Sequence, residues 1–584
     1  MNEQTRQVET HVGRDGNPVA HVTMSPTSNL MRCHVEAPPD QAIPIIFLPG
    51  IMGSPLIATG DNRRMVKRAD WAWFPDRPMT WVAGLTRSYR TLSPAERKRL
   101  LDPASTRPLN VTDRNHHQVV AANIGSILPL QVAFQRGWGT VAVASYGKIL
   151  QFLEAQLRFI VTPQGEPYPG ILGAMPRDPT GWGKLQGSYV RLEKAALQAA
   201  ARFQYPVFAV GYNWLLSNGD AAAYLLGRTG EILDYCRNTL KLECRHGVIL
   251  VTHSMGGLVA RCFAKEHPEL VQGVVHGVQP AIGAATAYRR LRAGWEDAAG
   301  AWALGERGFQ IVPVFANAAG PLELLPNQRY GAGWLQAKSS DDEMLFALPH
   351  ARGGKADPYE QIYAQPTAWW RLVNPACIDP PDDGDTAEPS RTSIQEAWVG
   401  YIRKLNIAKK FHMDLGSYYH ENTYAFYGED ARKKAFQHVK WKFTRALVPA
   451  GERPPTPAPK LTTADAMNLR INWDSYGGRV TMINDRSQQY LVNQYGVGRV
   501  YDTLGTVQMA DMEDADQAGD ATVPAYSGAD VVRNARFAVT MTGFEHQGAF
   551  DDQKVQYVTL HSILHIGATA IEKPSAVVPS CTGL

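Results

Sequence analysis

The run Val248-Ile249-Leu250-Val251-Thr252-His253-Ser254-Met255-Gly256-Gly257-Leu258-Val259-Ala260-Arg261 constrains this chain more than any other stretch. A β-branched, uncharged segment enters a turn that holds a serine. A segment with helical spacing (Leu258, Val259, Cys262, Phe263) leaves it. Such a strand–turn–helix pushes one hydroxyl out above a sheet, and the backbone folds back so tightly that only small residues fit beside it. Gly256 and Gly257 meet that need on the far side, whereas Thr252 stands where a glycine is usual on the near side. The plain alternative is an ordinary strand-to-helix turn with a surface serine. H-S-M-G-G directly after an apolar strand is far more specific than a bare G-x-S-x-G, so the run predicts a nucleophilic Ser254.

The segments around this turn predict a parallel sheet. Residues 43–56 read as a short buried strand ending in a glycine-punctuated loop, 207–210 as a second strand and 271–278 as another. Helical spacing marks 141–160, with Ile149, Leu150, Leu153 and Leu157 on one face, and 220–240. Strands alternating with helices imply a parallel sheet covered on both faces. After about Ala285 the rhythm stops. The stretch to Tyr419 is aromatic and reads as helical, with Trp295, Trp302, Trp334, Trp369, Trp370 and Trp398 and an acidic, proline-rich loop at 379–385. The sheet resumes at 423–428. A second insertion follows, opening with a charged helix and a linker at 449–459. A last strand is expected at 536–542 and a closing helix at 551–570. The expected organisation is therefore one α/β core with two large, mainly helical insertions. Residues 1–284, 420–430 and 512–584 form the core; 285–419 and 431–511 are the insertions.

Composition narrows the class. At 584 residues the chain exceeds one ordinary domain. Its 44% hydrophobic and 20% charged content is that of a soluble globular protein. A net charge of +4 is small for this size and gives no case for a nucleic-acid partner. Cys33, Cys236, Cys244, Cys262, Cys377 and Cys581 are scattered with no C-x-x-C pair, which favours reduced thiols over a disulfide framework or a zinc site. The first fifteen residues lack the apolar core of a secretory signal, so synthesis in the cytoplasm without a cleaved leader is expected. No segment reads as a membrane span; the uncharged stretch 271–288 carries His276, Gln279, Pro280 and three glycines.

A serine hydroxyl is a weak nucleophile at neutral pH, so Ser254 needs a histidine base and that base an orienting carboxylate. In α/β-hydrolases the partners follow in the order Ser, Asp or Glu, His, each on a loop after a late strand. Asp520, in G-D-A-T-V-P, and His546, in F-E-H-Q-G, fit that order. Asp520 competes with Asp511, Asp514 and Asp516, each readable as a solvated loop carboxylate. His546 competes with His561 and His565, which fall at i, i+4 inside the closing helix and read as packing residues or, with no third ligand, a poor metal pair. His253 reads as a structural neighbour of the nucleophile that could also line the acyl site. The oxyanion of a tetrahedral intermediate needs two amides. Met255, at the start of the elbow helix, supplies one, and Ile51, in L-P-G-I-M-G, the other. The aromatic insertion reads either as a cap with its own small core or as a lid over an apolar acyl slot.

The set F-L-P-G-I-M-G-S (47–54), H-S-M-G-G (253–257), G-D-A-T-V-P (519–524) and E-H-Q-G (545–548) resembles the lipase branch of the α/β-hydrolases, including the lecithin–cholesterol acyltransferase and GPI inositol-deacylase groups. That resemblance places the roles on Ile51, Ser254, Asp520 and His546, with Ala521 standing where the family often has glycine. More narrowly, Arg136-Gly137-Trp138-Gly139, Tyr212-Asn213-Trp214 and Glu323-Leu324-Leu325-Pro326-Asn327-Gln328 are similar to leaderless bacterial lipase effectors of type VI secretion, the fourth lipase-effector family. The resemblance implies a phospholipase acting on the membrane phospholipids of a rival cell. It also implies a cognate immunity protein, a secretion spike protein as carrier and delivery to the target periplasm. No cofactor is expected, and scattered acidic loops leave room for a structural calcium ion. The rival readings are an esterase or acyltransferase acting on a soluble ester, and a hydrolase fold that has lost catalysis and serves as a binding protein.

Overall fold

The computed structural model describes residues 5–8, 11–12, 18–22, 32–35, 38–60, 71–75, 91–113, 127–169, 178–187, 191–296, 301, 304–353, 355–381, 390–444, 461–483, 492–493, 496–497 and 507–571. At its centre lies a seven-stranded sheet. In spatial order the strands are Val207–Ala209, Ile45–Leu48, Val248–His253, Val271–Gly277, Thr423–Gly428, Phe537–Met541 and Lys184–Gln186. All neighbours are parallel except the last pair, which is antiparallel. Parallel strands covered on both faces read as near-continuous apolar runs, which is why these segments were legible. Side chains alternate along them: Ile46, Leu48 and Leu250 join one core cluster, and Ile45, Phe47, Ile249 and Val251 the other. Helices Asn218–Asn238 and Gly256–Glu266 cover the first face; Val143–Gln156 and Gln553–Ala568 cover the second. This largely parallel sheet with flanking helices is consistent with the α/β-hydrolase fold.

The motif Arg136-Gly137-Trp138 braces the edge of this sheet. Gly137 has φ 76°, and a Cβ there would stand 2.2 Å from Ala209 O. The Trp138 indole donates to Val207 O at 3.0 Å, and the Val207 amide donates to Glu154. Glu154 in turn holds the buried Arg136 guanidinium at 2.8 Å.

The expected helical character of the insertions is corrected by a second, six-stranded sheet. Its order is Met344–Leu348, Leu335–Lys338, Val439–Phe443, Gln508–Met512, Arg479–Ile483 and Arg470–Asp474. The two insertions therefore meet in one sheet, joined where Leu335–Lys338 pairs parallel with Val439–Phe443. The charged stretch expected to open the second insertion as a helix is two strands. Asp430–Ala435 pairs with Gln517–Gly519, and in Val439–Phe443 the residues Val439, Trp441 and Phe443 point inward while two lysines point outward. Period-two alternation in V-K-W-K-F is the signal that its lysines mask. Helices do occur in the first insertion, at Gly308–Phe315 and Arg391–Leu415. Trp302 and the linker at 449–459 lie outside the described residues, as does most of the acidic loop.

One buried ion pair ties the second sheet to the core. Arg292, in the helix Ala285–Ala293 that follows the strand Val271–Gly277, meets Asp474 at 2.8 Å, both side chains almost inaccessible. Its guanidinium also lies over the Trp441 ring at 5.4 Å. Removing one partner leaves the other charged and unsatisfied, at a cost of about 3–5 kcal/mol, whereas apolar replacement of both is close to neutral. Asp474→Ala is therefore expected to lower the unfolding free energy by that amount, and the double change Asp474→Leu with Arg292→Met to restore most of it, as measured by guanidinium denaturation.

Candidate active site

The strand Val248–His253 ends in a residue of unusual backbone. Ser254 has φ 52°, the left-handed region that a side chain with a Cβ rarely adopts. Its amide donates to Gly277 O at 2.9 Å, and its carbonyl accepts from the Gly257 amide at 2.9 Å, so the turn is held from both sides. A Cβ on Gly256 would lie 2.6 Å from Pro49 O, and one on Gly257 would lie 2.7 Å from Gln279 Cγ. Those contacts explain the two glycines. Thr252 is still in regular strand pairing with Leu48 and His276, where no glycine is needed, and its hydroxyl lies 3.2 Å from His276 Nδ1.

Two distant loops reach this serine. His546 Nε2 is 2.8 Å from Ser254 Oγ, and His546 Nδ1 is 2.8 Å from Asp520 Oδ2. A carboxylate only accepts, so Nδ1 carries the proton and Nε2 presents a lone pair to the serine hydroxyl. Asp520 is buried and its second oxygen accepts from the amides of Thr522 (3.1 Å) and Val523 (2.7 Å). The His546 amide donates to Asp520 O at 2.8 Å, locking the two loops together. Ala521 has φ 70°, a left-handed backbone that glycine adopts without a Cβ penalty. Two of the three competing carboxylates are engaged elsewhere: Asp516 bonds His438 (2.8 Å) and Lys440 (3.1 Å), and Asp511 pairs with Arg479. His561 and His565 pack against each other and against Trp182 and Tyr424, away from the serine. Among the described residues no group of three or more His, Cys, Asp or Glu side chains gathers as a metal site would require.

Ser254, His546 and Asp520 face a cavity of about 610 Å³. Its walls are mostly apolar. Ile51 and Met52 come from the early loop, Pro280 and Ala284 from the segment after Val271–Gly277, and Leu291, Trp295, Leu304 and Phe315 from the first insertion. The charged side chains of the lining are mixed: Arg290, which pairs with Glu296 at 2.7 Å, Lys434 and Glu545. The Ile51 and Met255 amides have no acceptor among the described residues, whereas the Gly50 amide donates to the Tyr146 hydroxyl. The loop holding Ile51 is fixed by the Tyr212 hydroxyl, which donates to Pro49 O at 2.8 Å. His253 lines the same cavity and also bonds to Tyr146 and to the His546 carbonyl. Tyr146 and Arg290 were not singled out from sequence. Tyr146 sits on the apolar face of the helix Val143–Gln156, where an aromatic reads as core, and Arg290 resembles any surface arginine of an amphipathic helix.

Chemically, the arrangement is that of the serine hydrolases: a hydroxyl on a strained turn, an imidazole set to take its proton and a buried carboxylate set to orient the imidazole. One chain in the crystal structure of the Tle4–Tli4 complex is similar at a TM-score of 0.67 and 27% sequence identity, over 91% of this chain and 99% of that one. No family model matches the chain, and no curated protein matches it. No described helix is long and apolar enough to cross a membrane.

Burial near and behind the site gives stability a pH dependence with two opposite parts. It pushes His253 and His276 down to about 3 and His412 down to about 4, each from 6.5. These residues stay neutral in the fold where an unfolded chain binds protons, so their contribution is complete above about pH 6.5 and is lost as pH falls toward the folded values. Glu323 works in the other direction. Burial holds its carboxyl up at about 8 from 4.5, against hydrogen bonds from Ser217 and Asn218. Its contribution is present below pH 4.5 and is lost as pH rises through about 8. Three histidines outweigh one carboxyl, so urea midpoints are expected to fall as pH drops from about 6.5 to about 4.5, and His276→Phe to flatten that slope.

Proposed function

We propose that the protein is a serine-dependent carboxylic-ester hydrolase of the phospholipase A type, with Ser254, His546 and Asp520 as its catalytic triad. The observation that carries this reading is the continuous bond from Ser254 Oγ through His546 to Asp520, at 2.8 Å in each step, on the wall of an apolar cavity. Ser254 Oγ attacks the ester carbonyl carbon while His546 Nε2 takes its proton, and Asp520 steadies the imidazolium. The Ile51 and Met255 amides receive the oxyanion, each able to contribute on the order of 100- to 1,000-fold. Collapse of the intermediate expels the lysophospholipid alcohol, which takes the proton back from His546, and leaves the acyl group on Ser254. Water, deprotonated by His546, then attacks the acyl carbonyl; the bond to Ser254 Oγ breaks, the serine takes the proton back from His546, and the fatty acid leaves. Every group in this cycle comes from the chain itself, and no cofactor enters it.

A phospholipid is the substrate that best suits the cavity. Apolar walls accommodate acyl chains, and Lys434 supplies a cation that a phosphate-bearing head group could meet. Trp295, Leu304 and Phe315 of the first insertion line that space together with Ser254, which supports the reading of this part of the insertion as a lid. The likeness to Tle4, a type VI lipase effector crystallised with its immunity protein Tli4, supports an antibacterial effector with an immunity partner of its own. Delivery by a secretion spike to the periplasm of a target cell belongs to the same reading.

The test is fatty-acid release from phospholipid vesicles and from a soluble short-chain ester, with the unaltered protein, Ser254→Ala and Asp520→Asn. Ser254→Ala is expected to abolish turnover and labelling by a fluorophosphonate probe. Asp520→Asn is expected to cost about 10,000-fold, as in other triads. Activity on the soluble ester equal to that on vesicles would favour the soluble-ester rival. A protein that neither turns over nor labels would be a binding protein.

A further inference from the structure

A second hydrogen-bonded chain runs beneath the reacting side chains. The Gly50 amide lies 3.2 Å from the Tyr146 hydroxyl, that hydroxyl 3.0 Å from His253 Nδ1, and His253 Nε2 2.8 Å from the His546 carbonyl oxygen. One acceptor fixes every direction. The carbonyl can only accept, so Nε2 carries the proton and donates. Nδ1 is then a lone pair and must receive the Tyr146 O–H. The tyrosine oxygen, having given its proton, accepts from Gly50. Tyr146 and His253 are both buried, and their rings are 5.4 Å apart between centroids. The packing leaves no slack: a Cβ on Gly50 would meet His253 Nδ1 at 2.7 Å, and one on Gly53 would meet the Tyr146 hydroxyl at 2.8 Å.

We propose that Tyr146 and His253 are positioning residues for the ester hydrolysis assigned above, joining the oxyanion loop to the histidine loop through the elbow. The inference rests on Ser254 being the nucleophile. Neither side chain bonds to the Ser254 hydroxyl; each acts through a backbone group. Tyr146 holds the amide of Gly50, whose neighbour Ile51 lines the cavity and is the proposed oxyanion donor. His253 holds the carbonyl of the residue whose ring must meet Ser254 on one side and Asp520 on the other. Packing alone does not require this arrangement, because phenylalanine fills the same space as tyrosine, and leucine is as buried as a neutral histidine. The electrostatics favour it too. The His253 and His546 rings are 5.0 Å apart between centroids, and His546 becomes cationic during each half of the reaction. A neighbour that stays neutral and points its N–H at a carbonyl adds no repulsion to that state.

The test compares Tyr146→Phe, His253→Gln, His253→Leu and the Tyr146→Phe/His253→Leu double variant. Each is assayed for kcat and KM on a soluble short-chain ester, rate of fluorophosphonate labelling and thermal midpoint. Tyr146→Phe and His253→Leu are each expected to lower kcat and the labelling rate on the order of 10- to 100-fold, less than outright loss of an oxyanion donor. KM should stay within about twofold, because substrate binding is left alone. His253→Gln, which keeps an N–H for the His546 carbonyl, should recover much of the loss. The double variant should be little worse than either single one, since both break the same chain. Losses that multiply in the double variant, or a folded Tyr146→Phe with unchanged kcat, would overturn the positioning role and leave the nucleophile intact. Equal losses in folded His253→Gln and His253→Leu would overturn the role of the N–H. Absence of labelling in the unaltered protein would instead overturn Ser254 as nucleophile.

Discussion

The close approach of Gly256 to the carbonyl oxygens of Leu48 and Pro49 is the contact on which the rest of the site depends. A Cβ there would lie 2.6 Å from one oxygen and 2.7 Å from the other, so no other residue lets the elbow helix start where it does. That approach sets the first turn of Gly256–Glu266 against the end of the strand Ile45–Leu48 and brings the Met255 amide beside the loop that carries Ile51. It follows from the strand order. Ile45–Leu48 and Val248–His253 are neighbours in register, Leu48 opposite Thr252, so both chains leave the sheet at the same level and on the same edge. In parallel α/β sheets that edge, past the carboxyl ends of the strands, is where sites form. The strands Thr423–Gly428 and Phe537–Met541 continue the same edge, and the loops of Asp520 and His546 lie just beyond it.

The second sheet adds a wall to this core. Three links hold it or its helices in place, and each uses a buried, hydrogen-bonded polar side chain. Arg292 binds Asp474 across the two sheets. Glu323 accepts from Ser217 and from the backbone and side chain of Asn218, at the start of the helix Asn218–Asn238. Arg261, within the elbow helix, donates to the carbonyls of Tyr418, Ala281 and Gly416. Such groups contribute little net stability over apolar replacements, yet they tolerate few alternative arrangements. They fix where the first insertion sits relative to the elbow, and therefore where Trp295 and Phe315 stand relative to Ser254.

What the sequence made legible follows from how each signal is encoded. The central strands are buried on both faces, and their apolar runs stand out against polar flanks; Thr423–Gly428 was placed to the residue. The chemistry-bearing loops were legible because each carries a local mark: glycines around Ser254, a glycine and T-V-P around Asp520, and a position just past the last strand for His546. The second sheet left no such mark. In Val439–Phe443 lysines alternate with the buried residues, and the stretch that opens the second insertion reads as a charged helix. The sheet's pairing of 335–338 with 439–443 also spans a distance no local pattern records. Tyr146 was hidden for a different reason. Its hydroxyl matters only through Gly50 and His253, far away in sequence, while its ring obeys the spacing of an ordinary core helix.

Backbone strain ties these observations together. Among the described residues few side-chain-bearing positions have positive φ, and Met52 (61°), Ser254 (52°) and Ala521 (70°) all line the cavity. Each such residue costs about 1–3 kcal/mol and persists only where its surroundings over-determine it. The surroundings do so here. Met52 O accepts from the Trp73 indole at 2.7 Å, Pro49 O from Tyr212 and the Ser254 carbonyl from Gly257, and the Ala521 amide donates to Lys433 O. Lys241, Val278, Asp342 and Tyr476 also have positive φ and do not line the cavity, so what sets the other three apart is that strain occurs on three separate loops around one space. That strain is explained if the loops are held where they converge, with hydroxyl, imidazole and carboxylate already in contact before any ester arrives.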